Sequence, residues 1–361
     1  MKCLIIYYDN YGVCSNGATE KAKPLISFAK TFYDDVFTIS TFKWKKRIFN
    51  IVHAIKKQIK KVDSVFIILS EKGVMTVSKL IGRYCRKHNI NLYYFMVGIG
   101  PIVREIGRKK TNADVTKYLQ TPKDWVVSNT KFSKRIRTFT RVFVETNTIK
   151  MFCDYCYKTK NVVVLPNYRK DAFSKNALPE ISNSVCTFLY FARITECKGI
   201  FQLLDAVEIL NKKGLVFKLN IYGDFEPDAA DFRQRLLPSN VNYMGSMSDD
   251  KSAVLSTHNC LVFPSTWVEG MPGSILESQL SYLPIISSHF TFSDEMIVEE
   301  KTGWILESVN PNCIASLMEH FISSVFNQNV ENIMRKNAFD FAKRYLQSSC
   351  ESILRKELKN E

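Results

Sequence analysis

The chain has 361 residues, 46% of them hydrophobic and 24% charged, which excludes a low-complexity or disordered chain and is too much for one ordinary core. Its formal net charge of +15 is unevenly placed: residues 1–170 hold 33 Lys+Arg against 11 Asp+Glu, a net of +22, and the remainder a net of −7. No run approaches the ~20 apolar residues that span a bilayer, so the expectation is a protein that is soluble or lies on a surface, with its basic half meeting an anionic partner.

In chain order, "MKCLIIYYDN" meets Asp9 too soon for a signal peptide and reads as a first β-strand. The loop "NYGVCSNGATEK" follows, and its Gly12 and Gly17 would bring a helix N-terminus close to phosphates. After the strand candidate "DVFTIS" comes "TFKWKKRIFNIVHAIKKQIKK", residues 41–61, with eight Lys+Arg and no acid. Trp44, Ile48, Ile51, Val52, Ile55 and Ile59 recur there at helical spacing, so a helix packs on the sheet with a basic outer face that can meet anionic lipid. Further strand candidates in the first half are "SVFIIL", "NLYYFMV", "DWVVS", "RVFVE" and "NVVVLPN", with helical segments such as "MTVSKLIGRYCRKH" between them. "KFSKRIRTFTR", residues 131–141, adds five cations. "CDYC", residues 153–156, has knuckle spacing but no second CxxC and falls in a predicted helix. It and the other scattered cysteines, ten in all, read as reduced packing residues.

The stretch 165–184, with Pro166 and Pro179 among Asn, Ser and Lys, is the expected boundary. The second half then offers "CTFLYFAR", "FKLNIYG", "VNYMG", "CLVFP" and "PIISS" as strands. Strand–helix alternation throughout predicts an α/β protein of two doubly wound domains with a cleft between them, ligands binding at the carboxyl ends of the strands. The expected division is residues 1–170, residues 171–340, and a C-terminal helix over 341–361 packing back towards the first domain.

"EGMPGSILESQLSYLPIISS", residues 269–288, sets Glu269 and Glu277 seven residues apart around a Gly-Met-Pro-Gly kink. The spacing is meaningless alone, because Glu299 and Glu307 share it without a kink. The surroundings carry the meaning. The strand "CLVFP" ends at Pro264, a loop follows, and a helix starts with Pro272 at or near its first position. Gly270 and Gly273 let backbone approach a ligand, with Met271 between them in the expected binding stretch, and the free N–H groups of Gly273, Ser274 and Ile275 make an anion site at the helix's positive end. Glu277, inside the helix, would accept from ribose hydroxyls, and Glu269 would reach the other side of the phosphates. "FARITECKGI" places Arg193 and Lys198 after another strand, two cations suited to a diphosphate leaving group.

The C-terminal half resembles the retaining glycosyltransferases of family 4, of the bacterial surface-polysaccharide type. The matching runs, in order over roughly residues 140–305, are "FVET", "VLPNYRK", "FARITECKG", "LNIYG", "VNYMGSMSDDK", "LVFPSTWVEGMPGSILES", "LPIISS" and "EEKTGW". The resemblance implies a GT-B fold, two Rossmann-like domains facing across a cleft. It implies a nucleotide-diphosphate sugar donor and a glycan or lipid-diphosphate-linked acceptor, with no separate cofactor. It implies that Arg193 and Lys198 bind the donor diphosphate, Glu277 the ribose and Glu269 the transferred sugar. It also implies a retaining transfer in which a leaving phosphate oxygen takes the acceptor's proton. Many members have a histidine on the loop after the fourth strand. Here that loop is "GIGPIV", and His53 and His88 lie in predicted helices and read as non-catalytic. No Asp-x-Asp element stands at a strand end, so no metal is expected. The expected place is cytoplasmic, peripheral on the inner face of the cell membrane. The rival readings are a GT-B sugar-nucleotide epimerase and a basic nucleic-acid binder; the second leaves the "EGMPG" context unexplained, and no nucleic-acid partner is expected.

Overall fold

In the computed structural model of the chain, residues 1–8, 17–107, 111–173, 178–181, 184–229, 231–232, 235–247, 250–328 and 330–359 are described. They form two compact units: Met1–Asn167 with Cys350–Glu361, and Tyr168–Ser349.

Unit 1 is built on strands β1 (Lys2–Tyr7), β2 (Asp35–Ser40), β3 (Ser64–Ile68), β4 (Asn91–Phe95), β5 (Arg141–Val144) and β6 (Val162–Val164). They lie in the order β2-β1-β3-β4-β5-β6, and the described pairings are all parallel. The chain moves outward from β1 to β2 and then returns to the other side of β1, so the switch point of the sheet lies between β1 and β3. Parallel strands are covered on both faces, which is why β1 and β3 read as unbroken apolar runs with Ile5 and Ile67 fully buried. Aromatic rings fill the layer above: Phe66 meets Phe95 at 4.9 Å, and Phe95 stacks on Phe143 at 4.7 Å.

Two sequence expectations in this unit are corrected. "DWVVS" is not a strand: a 3₁₀ turn covers Pro122–Asp124, and Val126 and Val127 are exposed. Its apolar content serves one anchor. Trp125 is buried against Phe152, and its indole N–H donates to the Tyr118 carbonyl at 2.8 Å, while β5 takes the sheet position beside β4. The helix expected over 41–61 is observed at Trp44–Gln58, continued by a 3₁₀ turn at Ile59–Lys61. Ile51, Ile55 and Ile59 pack inward, but Ile48 is 39% exposed, so the buried stripe is shorter than the periodicity suggests. The side chain of Trp44 lies outside the described part of the chain.

Unit 2 has strands β7 (Cys186–Phe191), β8 (Phe217–Tyr222), β9 (Val241–Gly245), β10 (Cys260–Phe263), β11 (Ile285–Ser288) and β12 (Gly303–Leu306). The order β12-β11-β10-β7-β8-β9, again parallel, puts the switch point between β7 and β10. Phe188, Leu203, Leu204, Val207, Ile221 and Phe321 form its core. Strand β12 lies in the run "EEKTGW" and just beyond it, with no alternation to announce it. The control glutamate Glu299 is structural: its Oε2 accepts from the Ile305 N–H of β12 at 3.1 Å. Among the described residues the cysteines form no disulfide, and Cys153 and Cys156 face inward from the helix Asn147–Cys156.

Candidate active site

The site residues of unit 2 come from the loops that leave β7 and β10, the two strands at the switch point. After β7, a 3₁₀ turn covers Glu196–Lys198, and Gly199 reverses the chain with φ of 71° before the helix Ile200–Lys212. A Cβ at Gly199 would collide with the Pro264 carbonyl, so the turn lies directly on the end of β10. The Cys197 carbonyl accepts from the Thr266 N–H at 2.9 Å and from the Ser265 hydroxyl at 3.3 Å. The Ser288 hydroxyl at the end of β11 donates to the Ser265 carbonyl at 2.6 Å. Three loops are thus pinned together, and a side chain on one has a fixed place relative to the others.

Lys198 and Glu269 meet on this frame. The ammonium pairs with Glu269 Oε1, which also accepts from the Ser265 hydroxyl at 2.5 Å. The two side chains are 12% and 10% exposed, so neither charge is left to water. Breaking such a pair strands a buried charge unless a ligand replaces each partner.

Glu277 makes a second cluster. Its Oε1 accepts from Arg169 Nε at 2.7 Å and Nη2 at 2.6 Å, and its Oε2 lies 3.3 Å from Lys251 Nζ. One carboxylate between two cations leaves a net positive charge. Gly273 makes room for this contact, because a Cβ there would stand 2.5 Å from Arg169 Nη2.

The helix Gly273–Leu280 begins as expected from the kink, with Pro272 as its N-cap, next to the first helical residue. Proline brings no capping side chain, and the first intrahelical bond runs from the Leu276 N–H to the Pro272 carbonyl at 3.3 Å. The N–H groups of Gly273, Ser274 and Ile275 therefore have no acceptor within the helix. Met271 and Ile275 are buried, and Gly270 and Ser274 are half-buried. Met271 and Ile275 thus serve the core, which leaves their backbone and not their side chains facing outward from it.

Arg193 does not join Lys198. It is 63% exposed and pairs with Glu226 at 2.6 Å. The loop after β8 causes this: the Glu226 N–H donates to the Ile194 carbonyl at 3.0 Å, which puts its carboxylate beside Arg193. Only the backbones of Arg193 and Lys198 converge, their carbonyls lying 3.1 and 3.5 Å from the Tyr190 hydroxyl. Burial pushes that hydroxyl's pKa well up, so it remains a proton donor. Gly17 is the first residue of the helix Gly17–Phe32 in unit 1, and Gly12 lies outside the described residues.

Sequence reasoning gave no role to Arg169, Lys251 or Ser265. Arg169 and Lys251 stand in the runs "VLPNYRK" and "VNYMGSMSDDK", and the signal available was the apolar run "SILESQL" around Glu277, since a carboxylate buried there needs cations. Among the described residues no three His, Cys, Asp or Glu side chains converge as a metal site.

The fold and this site define a doubly wound α/β domain whose charged side chains gather at the switch point of its sheet. Residues 169–341, which hold the whole constellation, match the model of the family of glycosyl transferases group 1. Over 138 residues the chain is 30% identical to the capsular polysaccharide biosynthesis glycosyltransferase CapM of Staphylococcus aureus, covering 37% of this chain and 36% of that protein. Over 142 residues it is 26% identical to the amylovoran biosynthesis glycosyltransferase AmsK of Erwinia amylovora, covering 36% and 34%. The chain's match thus spans about a third of the length of each of these two relatives. The crystal structure of Anabaena Alr3699/HepE in complex with UDP has a TM-score of 0.75 at 15% identity and covers 100% of both chains. That likeness is one of fold, and it makes the two doubly wound units those of the GT-B class.

Proposed function

We propose that this chain is a retaining glycosyltransferase of surface-polysaccharide biosynthesis. It moves a sugar from a nucleotide-diphosphate sugar to a glycan or lipid-diphosphate-linked acceptor. The observation that carries this reading is the two charge clusters built on buried carboxylates at the switch point, Lys198–Glu269–Ser265 and Glu277–Arg169–Lys251. The names of the relatives support the pathway, and the Anabaena protein, solved with UDP and with UDP-glucose, supports the donor class.

In this reading Glu277 accepts from the ribose hydroxyls while Arg169 and Lys251 hold it in place and add positive charge. The diphosphate lies against the N–H groups of Gly273, Ser274 and Ile275. Lys198 shifts from Glu269 towards the phosphates, which frees Glu269 for the sugar hydroxyls. Arg193 reaches the diphosphate only by leaving Glu226, and its exposure makes that inexpensive. As the bond from the anomeric carbon to the phosphate oxygen breaks, charge grows on the diphosphate. The acceptor oxygen bonds to the same face, and its proton passes to the departing phosphate oxygen. The charge is held by Lys198, Arg193 and helix dipole, with no metal or cofactor in the scheme.

Among the described residues no helix is long and apolar enough to cross a membrane. The basic first half supports our placing the protein in the cytoplasm, on the inner face of the membrane. Calorimetric titration with UDP and UDP-sugars tests the donor assignment. Glu277→Gln should weaken nucleotide binding by about 1.5–3 kcal/mol, the cost of lost charged hydrogen bonds. Equal affinity of the variant and the unaltered protein would remove the ribose role. Turnover that disappears with a chelator and returns with a divalent ion would refute the metal-free scheme.

A further inference from the structure

Unit 1 has its own switch point between β1 and β3, and a cavity of about 640 Å³ lies there. Its lining comes from the carboxyl ends of three strands: Tyr8 after β1, Thr41 and Lys43 after β2, Leu69 and Ser70 after β3. Its wall is mostly apolar, with Val77 buried beneath it, yet Lys43, Lys46 and Lys72 also line it. The size is that of a small-molecule site, and the position is where open α/β sheets bind ligands.

Two helices begin at this cavity. Trp44–Gln58 has no acid in its first turn, and Lys43, Lys46 and Arg47 stand there instead. Cations at the positive end of a helix dipole are unfavourable unless an anion joins them. Lys43, the N-cap, holds left-handed backbone with φ of 56° and ψ of 34°, an uncommon state for a residue with a side chain. The second helix, Glu71–Lys87, opens at Ser70, whose hydroxyl makes no cap, and its first turn adds Lys72 with one acid, Glu71. Three residues beyond Lys46, on the same side of its helix, Phe49 is 88% exposed, with Ile48 beside it at 39%. A cationic mouth, an apolar interior and an exposed apolar tip stand together.

We propose that this cavity is a site for a single-chain lipid phosphate or diphosphate, the reducing-end carrier of the acceptor. The three lysines hold the phosphate, and the first apolar units of the tail lie on Leu69, Val77 and the Tyr8 ring. The rest of the tail leaves past Ile48 and Phe49. Three ammonium groups match the charge of a phosphomonoester or diphosphate better than the single charge of a phosphodiester headgroup, which commits the site to the carrier lipid and not to bilayer phospholipid. The naming of the carrier rests on the transferase reading; the binding does not.

Calorimetry on the full chain with farnesyl diphosphate tests it, with inorganic pyrophosphate, farnesol and phosphatidylglycerol vesicles as the other arms. Farnesyl diphosphate should bind at least tenfold tighter than pyrophosphate or farnesol. The triple variant Lys43→Gln, Lys46→Gln, Lys72→Gln should lose at least tenfold, with UDP binding unchanged. Thr76→Trp, at an exposed lining position, should block the tail and bring farnesyl diphosphate down to the affinity of pyrophosphate. Equal binding of farnesyl diphosphate and pyrophosphate, or no loss in the triple variant, overturns the site. So do phosphatidylglycerol vesicles that bind through these lysines without competition from farnesyl diphosphate. UDP binding that fails while farnesyl diphosphate still binds would instead defeat the donor reading and leave the cavity assignment standing.

Discussion

Gly273 decides where Arg169 goes. Its missing side chain leaves the space in which the guanidinium grips Glu277, since a Cβ would stand 2.5 Å from Nη2. Gly273→Ala should therefore separate two effects. Helix propensity favours alanine by at most about 1 kcal/mol, but loosening Arg169 from the buried Glu277 costs more, so the melting temperature should fall slightly. Donor affinity should fall roughly tenfold or more, as for one lost charged hydrogen bond. Calorimetry showing equal affinity would mean that the Arg169 contact plays no part in binding. Lys198 and Arg193 also part company at this scale. Lys198→Ala strands the buried Glu269 and removes a cation from the leaving group, so turnover should fall by about 10²-fold, more than donor affinity does. Arg193→Ala removes a side chain that is 63% exposed, and its loss in turnover should be smaller. A saturating-donor assay that ranks them the other way would contradict the geometry.

The loops after β7, β10 and β11 act as one element because they share backbone acceptors. Gly199 is the tightest point, with φ of 71° and the Pro264 carbonyl where a Cβ would go. Gly199→Ala should cost about 1–3 kcal/mol of stability, read from urea denaturation, and should lower turnover with it. An unchanged midpoint would show that the loops are not locked. The start of β10 has a pH-sensitive anchor. His258 is buried, with Nδ1 2.9 Å from the Val254 carbonyl and Nε2 3.0 Å from the Asn220 amide. Burial lowers its pKa below the ordinary 6.5. The unfolded chain then takes up the proton first, so stability is full above pH 6.5 and declines as the pH falls below it, until the folded histidine also titrates. Urea midpoints at pH 7.5 and 5.5 should differ less for His258→Gln than for the unaltered chain. Equal differences would place the pH sensitivity elsewhere.

At the scale of the whole chain, the charge division is the dominant feature, +22 over residues 1–170 against −7 over the rest. If the basic half faces a membrane, vesicle binding should need anionic lipid. It should also weaken as salt shortens the Debye length from ~10 Å at 0.1 M to ~3 Å at 1 M. Lys56, Lys57, Lys60 and Lys61 are exposed at the end of the basic helix and apart from the cavity lysines. Each contributes about 1 kcal/mol near headgroups, so replacing all four by Gln should release the protein from vesicles without unfolding it. Sedimentation of the variant with anionic vesicles at wild-type levels would refute the membrane placement.

Most strands were legible because a buried parallel strand writes itself as a short apolar run; β12 was not, being four residues at a sheet edge. Glu269, Glu277 and the helix between them could be read because the kink, the proline and both carboxylates are neighbours in sequence. The sequence by itself determined the doubly wound pattern, the charge division and these local chemical groups. Only the tertiary structure decided their partners. Arg169 lies 108 residues from Glu277 and Lys198 lies 71 from Glu269. Which cation meets which carboxylate depends on where each strand stands in the sheet and where its loop is pinned. Arg193 shows the same rule in reverse: its neighbourhood in sequence matched that of Lys198, but the loop after β8 placed Glu226 beside it and turned its charge outward.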